Sequence, residues 1–429
     1  MKIVFIHQNC PGQFKYLAPY LAADKNNEVV FITQPNKPTP AGVRKVEYSP
    51  KREPSESTHH YLRLTEEGIL NGQAVGMKAL ELREAGFYPD IVVAHMGWGE
   101  ALYIKEIWPK APLLGYFEWY YRARGADVGF GSRAPVDIET ACRIETRNGM
   151  HLHSLTLADH GITPTGWQRL QHPAIFRNKI SVIHDGINTD KVKPNPLATF
   201  EIGSLKLRAG DEVITYVSRN LEPYRGFPSF MEAAEIVLKR RPNAHIVVVG
   251  DDDVAYGSRP KSGKTYREEA LERGTFDMSR LHFLGRVPYS DFIRILQVSA
   301  VHIYLTVPFV LSWSVLEAMA AGCLVIGSRT APVAEVIEHQ KNGLLVDFFS
   351  AEEIANLTDN VLDHSDMMQA IREAAREKIV GQYDLKKSLK QQTRLIAAMV
   401  NFARRGSTAS TPERHAGIAT PAGKTASTN

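Results

Sequence analysis

Two arginines, Arg219 and Arg225, stand six residues apart in Val217-Ser218-Arg219-Asn220-Leu221-Glu222-Pro223-Tyr224-Arg225-Gly226, between the end of an apolar run and a helical pattern. At the carboxyl end of a parallel strand such a loop faces the crevice where α/β folds bind ligands. A helix N-terminus presents unpaired N–H groups and partial positive charge to an anion, and two guanidinium forks beside it can hold a diphosphate. Spacing alone leaves a plainer reading equally open, two solvated arginines in a surface loop.

A second segment, Pro308 to Gly322, leads Ser312, Trp313 and Ser314 into an Ala-rich helix that carries Glu317. Ser314-x-x-Glu317 fits a capping box, in which each side chain satisfies the other's backbone N–H, and the pattern taken alone favours that reading. The alternative is a carboxylate accepting hydrogen bonds from sugar hydroxyls. In the first half, His95 and Glu118 end two apolar runs. His95 has the chemistry to donate to a sugar or phosphate oxygen, and Glu118 to orient an acceptor hydroxyl as a base. Glu118 sits in the aromatic run Tyr116-Phe117-Glu118-Trp119-Tyr120-Tyr121, suited to stacking on a sugar face or simply to core packing.

Other chemistries find little support. The fifteen histidines show no HExxH or other ligand spacing, and Asp251-Asp252-Asp253 reads as a polar loop after a strand, so no bound metal is expected. Cys10, Cys142 and Cys323 lie far apart with no CxxC, which predicts three buried thiols in a reducing compartment. A serine nucleophile elbow is absent. A net charge of +4 is too small for a nucleic-acid reader, though it suits anionic ligands or an acidic membrane surface. The stretch Ile295 to Leu316 contains no Asp, Glu, Lys or Arg, yet its polar residues and Pro308 read as helix end, buried strand, loop and next helix. A cytoplasmic protein is expected, with peripheral contact at the inner membrane face left open.

The elements that position these residues alternate. Strands are predicted at Lys2–His7, Glu28–Thr33, Asp90–His95, Pro112–Glu118 and Lys179–His184, with helices around Gln13–Ala23, Glu66–Ala85 and Gly99–Trp108. Runs such as Ile91-Val92-Val93 are apolar throughout, as in parallel strands covered on both faces. Turn residues gather from Asp185 to about Asp211, and the alternation then restarts with strands at Val213–Val217, His245–Val249, Leu281–Leu284, Val301–Leu305 and Leu324–Ile326. Helices are predicted at Pro228–Lys239 and Val315–Ala321, and helical sequence from about Glu352 to Ala403 closes the pattern. The chain thus reads as two doubly wound α/β halves with a hinge near residue 200. Boundaries are placed at 1–195 and 196–380, with a helix over 381–404 crossing back to the first half and a disordered tail over 405–429.

Taken together, the Arg219–Arg225 loop, the Glu317 helix and Ala334-Glu335-Val336-Ile337 before Asn342-Gly343-Leu344-Leu345-Val346 resemble the donor half of family 4 glycosyltransferases, which have the GT-B fold. Pro11-Gly12-Gln13-Phe14 resembles that family's first loop, Pro89 to His95 its strand ending in histidine, and Asp185-Gly186-Ile187-Asn188 its entry into the linker. The resemblance implies two Rossmann-like domains facing across a cleft, the first on the acceptor side and the second binding a nucleotide-diphosphate sugar. It implies a retaining, metal-independent hexosyltransferase with no cofactor, a UDP- or GDP-linked donor, and a glycan or lipid-linked saccharide as acceptor. By the same resemblance Arg219 and Arg225 bind the diphosphate, where the family usually has Lys at the second position. Glu317 matches the second carboxylate of the Glu-x7-Glu motif, which contacts the ribose. Gly12, Ser218, Gly250 and Arg286 fall at positions lining the nucleotide and sugar pocket. The first carboxylate of the motif is replaced by Phe309, which cannot accept a hydrogen bond, so sugar recognition must pass to groups such as Ser312, Ser314 or backbone N–H. Two other readings stay open, a nucleotide-sugar-binding protein that lost turnover with that change and a sugar-nucleotide epimerase of the same fold.

Overall fold

Uninterrupted Val and Ile runs need cover on both faces, and the computed structural model, which describes residues 1–409, gives it to them in two parallel sheets. The first comprises β1 (Lys2–Ile6), β2 (Glu28–Thr33), β3 (Arg44–Glu47), β4 (Ile91–His95), β5 (Leu113–Tyr116), β6 (His160–Thr163) and β7 (Ile180–Val182), in the order β3-β2-β1-β4-β5-β6-β7. A short antiparallel hairpin, β8 (Thr199–Ile202) and β9 (Leu205–Arg208), follows in the turn-rich segment after residue 185. The second sheet comprises β10 (Val213–Asn220), β11 (His245–Asp251), β12 (Leu281–Phe283), β13 (Val301–Tyr304), β14 (Leu324–Ser328) and β15 (Leu344–Val346), in the order β12-β11-β10-β13-β14-β15.

In both sheets the strand order reverses beside the first strand, between β1 and β4 and between β10 and β13. Ligands bind outside the carboxyl ends of strands at such switch points. His7 follows β1, His95 ends β4, Arg219 lies near the end of β10 and Tyr304 ends β13, so each switch point carries polar groups. Two Rossmann-like α/β domains therefore face one another across a cleft.

The C-terminal helix Leu385–Ala409 returns to the first sheet, where Leu389, Ile396 and Val400 join Ile3, Phe5, Leu17 and Val93 in one apolar cluster. Their spacing of seven and four residues places them on one helical face. The helix extends past residue 404; the remainder of the segment expected to be disordered, from residue 410, lies outside the described residues. Helix Ile138–Leu157, edge strand β3 and the short strands β6 and β15 were not expected from the sequence, whereas the helix expected over Gly99–Trp108 is only Ile104–Ile107. Cys10 and Cys323 are buried as expected, but Cys142 is exposed, because it lies on the outward side of helix Ile138–Leu157. Among the described residues no helix is long and apolar enough to cross a membrane.

Candidate active site

The cleft holds two adjoining cavities, of about 210 and 1560 Å3, which share Gln13, Glu118, Arg219, Tyr256, Val310 and Trp313. Their floor comes from the first half. His7 Nδ1 accepts the backbone N–H of Asn9 at 2.9 Å, which leaves its proton on Nε2. That Nε2–H donates to Gln13 Oε1 at 2.6 Å, and Gln13 Nε2 donates to Glu118 Oε1 at 3.0 Å. His95 is arranged in the same way, with Nδ1 accepting from Gly97 N–H at 3.1 Å and Nε2 lying 3.4 Å from Glu118 Oε2. Burial, with neighbouring His95 acting in the same direction, pushes the His7 imidazole down to about 3, so the ring is neutral. Burial alone would raise the Glu118 carboxyl, but the His95 side chain and the Gln13 amide outweigh it and hold Glu118 below the usual carboxylate range. The result is an ionised carboxylate at the cavity wall, with a Gln–His relay behind it.

Gly12 makes this relay possible. Its φ is +50°, and a Cβ there would sit 2.4 Å from His7 Nε2. His95 lines neither cavity; it is buried, stacked on Trp98 with ring centroids 4.1 Å apart, and touches the site through Glu118. His7 and Gln13 line the larger cavity in its place. Gln13 falls in the Pro11–Phe14 loop picked out by resemblance. Yet the sequence marks neither residue as part of the site, because a histidine after a strand and a glutamine in a turn carry no spacing signal, and their partner Glu118 is 105 residues from Gln13.

The second half supplies the cations. The two arginines differ. Arg219 is exposed, lines both cavities, and has no hydrogen-bond acceptor for its guanidinium among the described residues. Arg225 is buried and donates from Nη1 to Thr306 Oγ1 at 2.8 Å, the Val310 carbonyl at 3.0 Å and the Tyr304 hydroxyl at 3.3 Å, with its edge on the smaller cavity. The solvated-arginine reading therefore fails for Arg225. Between them Glu222, which no sequence pattern singles out, is buried and accepts the N–H groups of Ala255 at 3.2 Å and Tyr256 at 2.9 Å through Oε2. It ties the loop after β11 to the arginine loop.

Ser218 and Ser312 line the smaller cavity, while Gly12 and Arg286 line the larger. Ser218 Oγ donates to the Asn220 carbonyl at 2.7 Å. Gly250 lines neither cavity but sits so close to the arginine loop that a Cβ would meet Leu221 Cδ2 at 2.8 Å and the Ser218 carbonyl at 3.0 Å. Asp251 pairs with Arg286 at 2.9 Å, Asp252 with Arg267 at 2.5 Å and Asp253 with Arg259 at 2.5 Å. The three aspartates thus diverge onto three arginines. No group of three His, Cys, Asp or Glu side chains among the described residues could hold a metal.

The capping-box reading of Glu317 is overturned. The cap is Ser312, whose Oγ accepts the Ser314 N–H at 3.3 Å, so the helix starts at Trp313 and Glu317 lies in its second turn. Glu317 is buried and accepts from the Tyr289 hydroxyl at 2.6 Å. Burial pushes its carboxyl up, partly offset by that hydroxyl and by Lys15 of the first half. Neither Glu317 nor Ser314 lines either of these two cavities.

Phe309 closes an aromatic cluster that spans the cleft. Its ring centroid lies 4.8 Å from Trp119 of the first half, 5.1 Å from Tyr256 and 5.7 Å from Tyr224. The Tyr224 hydroxyl donates to Asp127 of the first half at 2.9 Å. Further along, Asp185 accepts from the Tyr116 hydroxyl at 3.0 Å and from Trp313 Nε1 at 2.9 Å, one partner from each half. Glu335 accepts from Gly166 N–H at 2.8 Å and Trp167 N–H at 2.6 Å, at the start of a helix in the first half.

The two halves match known families separately. Residues 25–192 match the family described as "Glycosyl transferase family 4 group", and residues 199–378 that described as "Glycosyl transferases group 1". A Mycobacterium tuberculosis protein named GDP-mannose-dependent alpha-(1-6)-phosphatidylinositol monomannoside mannosyltransferase is 25% identical over 212 residues, 46% of this chain and 50% of that protein. The chain spans about half the length of the curated relatives it matches. Among solved structures, Anabaena HepE in complex with UDP-glucose superposes with a TM-score of 0.66 at 14% identity, covering 93% of this chain and 100% of that one. Sucrose-phosphate synthase from Thermosynechococcus elongatus superposes with a TM-score of 0.68 at 18% identity, covering 96% and 100%. With its first half in the glycosyl transferase family 4 group and its second in glycosyl transferases group 1, the chain belongs to the glycosyltransferases of GT-B fold.

Proposed function

We propose that the chain transfers a sugar from a nucleotide-diphosphate donor to a hydroxyl acceptor, with retention of anomeric configuration and without a metal. The observation that carries this reading is the opposition of two chemistries across one cleft. Arg219 and Arg225 face it from the second half, and the ionised Glu118 with its Gln13–His7 relay faces it from the first. The arginines stabilise the diphosphate as the bond from the anomeric carbon to its oxygen breaks and the electron pair moves to the phosphate. Preorganised charge facing a leaving group supplies the greater part of the rate enhancement in many enzymes. Glu118 orients the acceptor hydroxyl and takes its proton as the oxygen bonds to the anomeric carbon on the face the diphosphate leaves. His95 holds Glu118 from behind, so it is a positioning residue.

Metal independence is supported by the pairing of Asp251, Asp252 and Asp253 with separate arginines. Uridine and guanosine donors are both compatible with the cleft, since the solved relative with UDP-glucose and the curated relative named for GDP-mannose share its fold or sequence. A glycan or lipid-linked acceptor fits the larger cavity. One observation favours the second reading, binding without turnover: Phe309 stands packed among aromatic rings where the family carries a carboxylate.

The test is a thermal-shift screen over UDP, GDP and their sugars, because a ligand that binds only the folded state raises its melting temperature. A shift of several degrees with one base, followed by donor hydrolysis or transfer that survives excess EDTA, is the expected result. Binding without hydrolysis or transfer would favour the non-catalytic reading. Activity abolished by EDTA and restored by Mg2+ would return Asp251 to Asp253 to consideration.

A further inference from the structure

The larger cavity exceeds the roughly 300–1,000 Å3 of an ordinary small-molecule site. Its outer wall is one face of helix Ile138–Leu157, where Thr140, Arg143, Ile144 and Arg147 recur at intervals of three, one and three residues. Among the described residues neither arginine of that face has a carboxylate within 4.0 Å. Glu139, one turn before Arg143, has its carboxylate 3.5 Å from His60 instead. Arg147 lies over the Tyr121 ring, its Cζ 3.6 Å from the ring centroid, and donates to the Tyr121 hydroxyl at 2.6 Å. Asn148 clamps the Tyr121 backbone on both sides, accepting its N–H at 3.1 Å and donating to its carbonyl at 2.8 Å. The cation is therefore fixed in place, with one fork edge used and the rest of its donors open.

No carboxylate on the cavity wall forms an ion pair with either arginine, although the charge of Arg147 reaches Asp127. Glu118 is engaged by Gln13 and Asp127 by Tyr224. In the second half Arg286 is paired with Asp251, and Arg219 faces the smaller cavity as well. Two unpaired guanidiniums one turn apart on a common wall set up a local positive field that an anion relieves. Trp98 and Tyr121, both partly exposed, line the same space beside the two arginines.

We propose, on the reading of the cleft as a glycosyl-transfer site, that the acceptor is a saccharide bearing an anionic group, phosphate or carboxylate, held by Arg143 and Arg147. Tyr121 is three residues from Glu118, a span of at most about 10 Å of extended chain. The anion thus sits one or two sugar rings from the attacking hydroxyl. Phosphate and uronate share this chemistry and differ in geometry, so the experiment separates them.

The full chain, saturated with the nucleoside diphosphate it binds so that the donor site is filled, is titrated calorimetrically with glucose, glucose 6-phosphate and glucuronate. At least one anionic sugar binds about tenfold or more tightly than glucose, and the preference shrinks as salt rises. Stronger binding of glucose 6-phosphate assigns a phosphate-bearing acceptor, and stronger binding of glucuronate a uronic one. Arg143→Gln and the double change with Arg147→Gln remove the preference while nucleoside diphosphate affinity stays unchanged; Arg147→Lys keeps charge and much of the preference. Arg143 is exposed, so its substitution reports on binding even where Arg147 variants lower the melting temperature. Failure of both anionic sugars to outbind glucose, or survival of the preference in the double variant, overturns the proposal. A chain that takes up no nucleoside diphosphate would sink the glycosyl-transfer reading instead, and the anion titration still reads out on it.

Discussion

Arg225 commits its guanidinium to Thr306, the Val310 carbonyl and the Tyr304 hydroxyl, so truncating it does two things at once. Arg225→Ala removes a phosphate ligand and also strips buried acceptors of their donor. It is expected to weaken nucleoside diphosphate binding by about 1.5–3 kcal/mol, the scale of a charged hydrogen bond, and to destabilise the fold by about 1–3 kcal/mol. Arg219→Ala is expected to lose the same order of affinity with an unchanged melting temperature, since its side chain is exposed and holds no acceptor among the described residues. Calorimetric affinities and thermal melts of the two variants check this; equal melting shifts in both would contradict the split. The pair was legible in the sequence because charge and position before a helix are local signals. Their unlike burial was not, since it depends on Thr306 and Val310, eighty residues further on. Glu317 teaches the converse. Its spacing from Ser314 matched a cap, but the helix begins at Trp313 and Tyr289 takes the carboxylate.

At the scale of elements, the turn after β1 has to bring the Gln13 carboxamide oxygen onto the His7 Nε2–H. Gly12 sits in that turn with φ of +50°, and any side chain there drives His7 off Gln13. Gly12→Ala is therefore expected to lower kcat at least about tenfold, or 1.4 kcal/mol of barrier, while nucleoside diphosphate affinity holds. A transfer assay beside a calorimetric titration separates the two quantities, and parallel losses in both would show a broader collapse of the loop. Most strands were readable because Val and Ile runs covered on both faces have no other use. β3 was not, since Arg44-Lys45-Val46-Glu47 is a polar edge, and β15 is only three residues long. Helix Ile138–Leu157 was hidden for a related reason. Its Arg and Glu residues face a cavity and solvent, and its buried set of Ile144, Asn148, His151, Ser154 and Leu155 is mostly polar, which blurs the apolar stripe.

At the scale of the whole molecule, the halves are joined by buried polar links as well as by chain. Burial pushes the Asp185 carboxyl up to about 7, against the opposing pull of Trp313 and Tyr116, which donate to it from opposite sides of the cleft. Unfolded, it titrates near 3.9. Between about pH 4 and 7 the unfolded chain has lost a proton that the native one keeps, so stability falls through that window and stays lower above it. The loss has an upper bound of about 4 kcal/mol, taking 1.36 kcal/mol per pH unit. Asp185→Asn escapes it, so its melting temperature should pull ahead of the parent's from pH 4 to 7 and hold a constant lead beyond. Melts across pH 4–9 read this directly, and a lead independent of pH would mean that Asp185 ionises normally. The two-domain plan itself was plain from the repeated alternation of strands and helices, whereas nothing local announced which residues reach across. Trp119 and Ala126, encoded with the first half, are packed in the apolar core of the second, against Phe309 and its neighbours. The boundary of inheritance is therefore not the boundary of folding. A hybrid that joined this first half to a cousin's second half would carry an indole shaped for Phe309 to a wall where the cousin keeps a carboxylate, burying that charge beside an apolar ring. Recombination within the family is expected to succeed at the linker only when the stretch around Trp119 travels with the half it packs into, not the half it is written in.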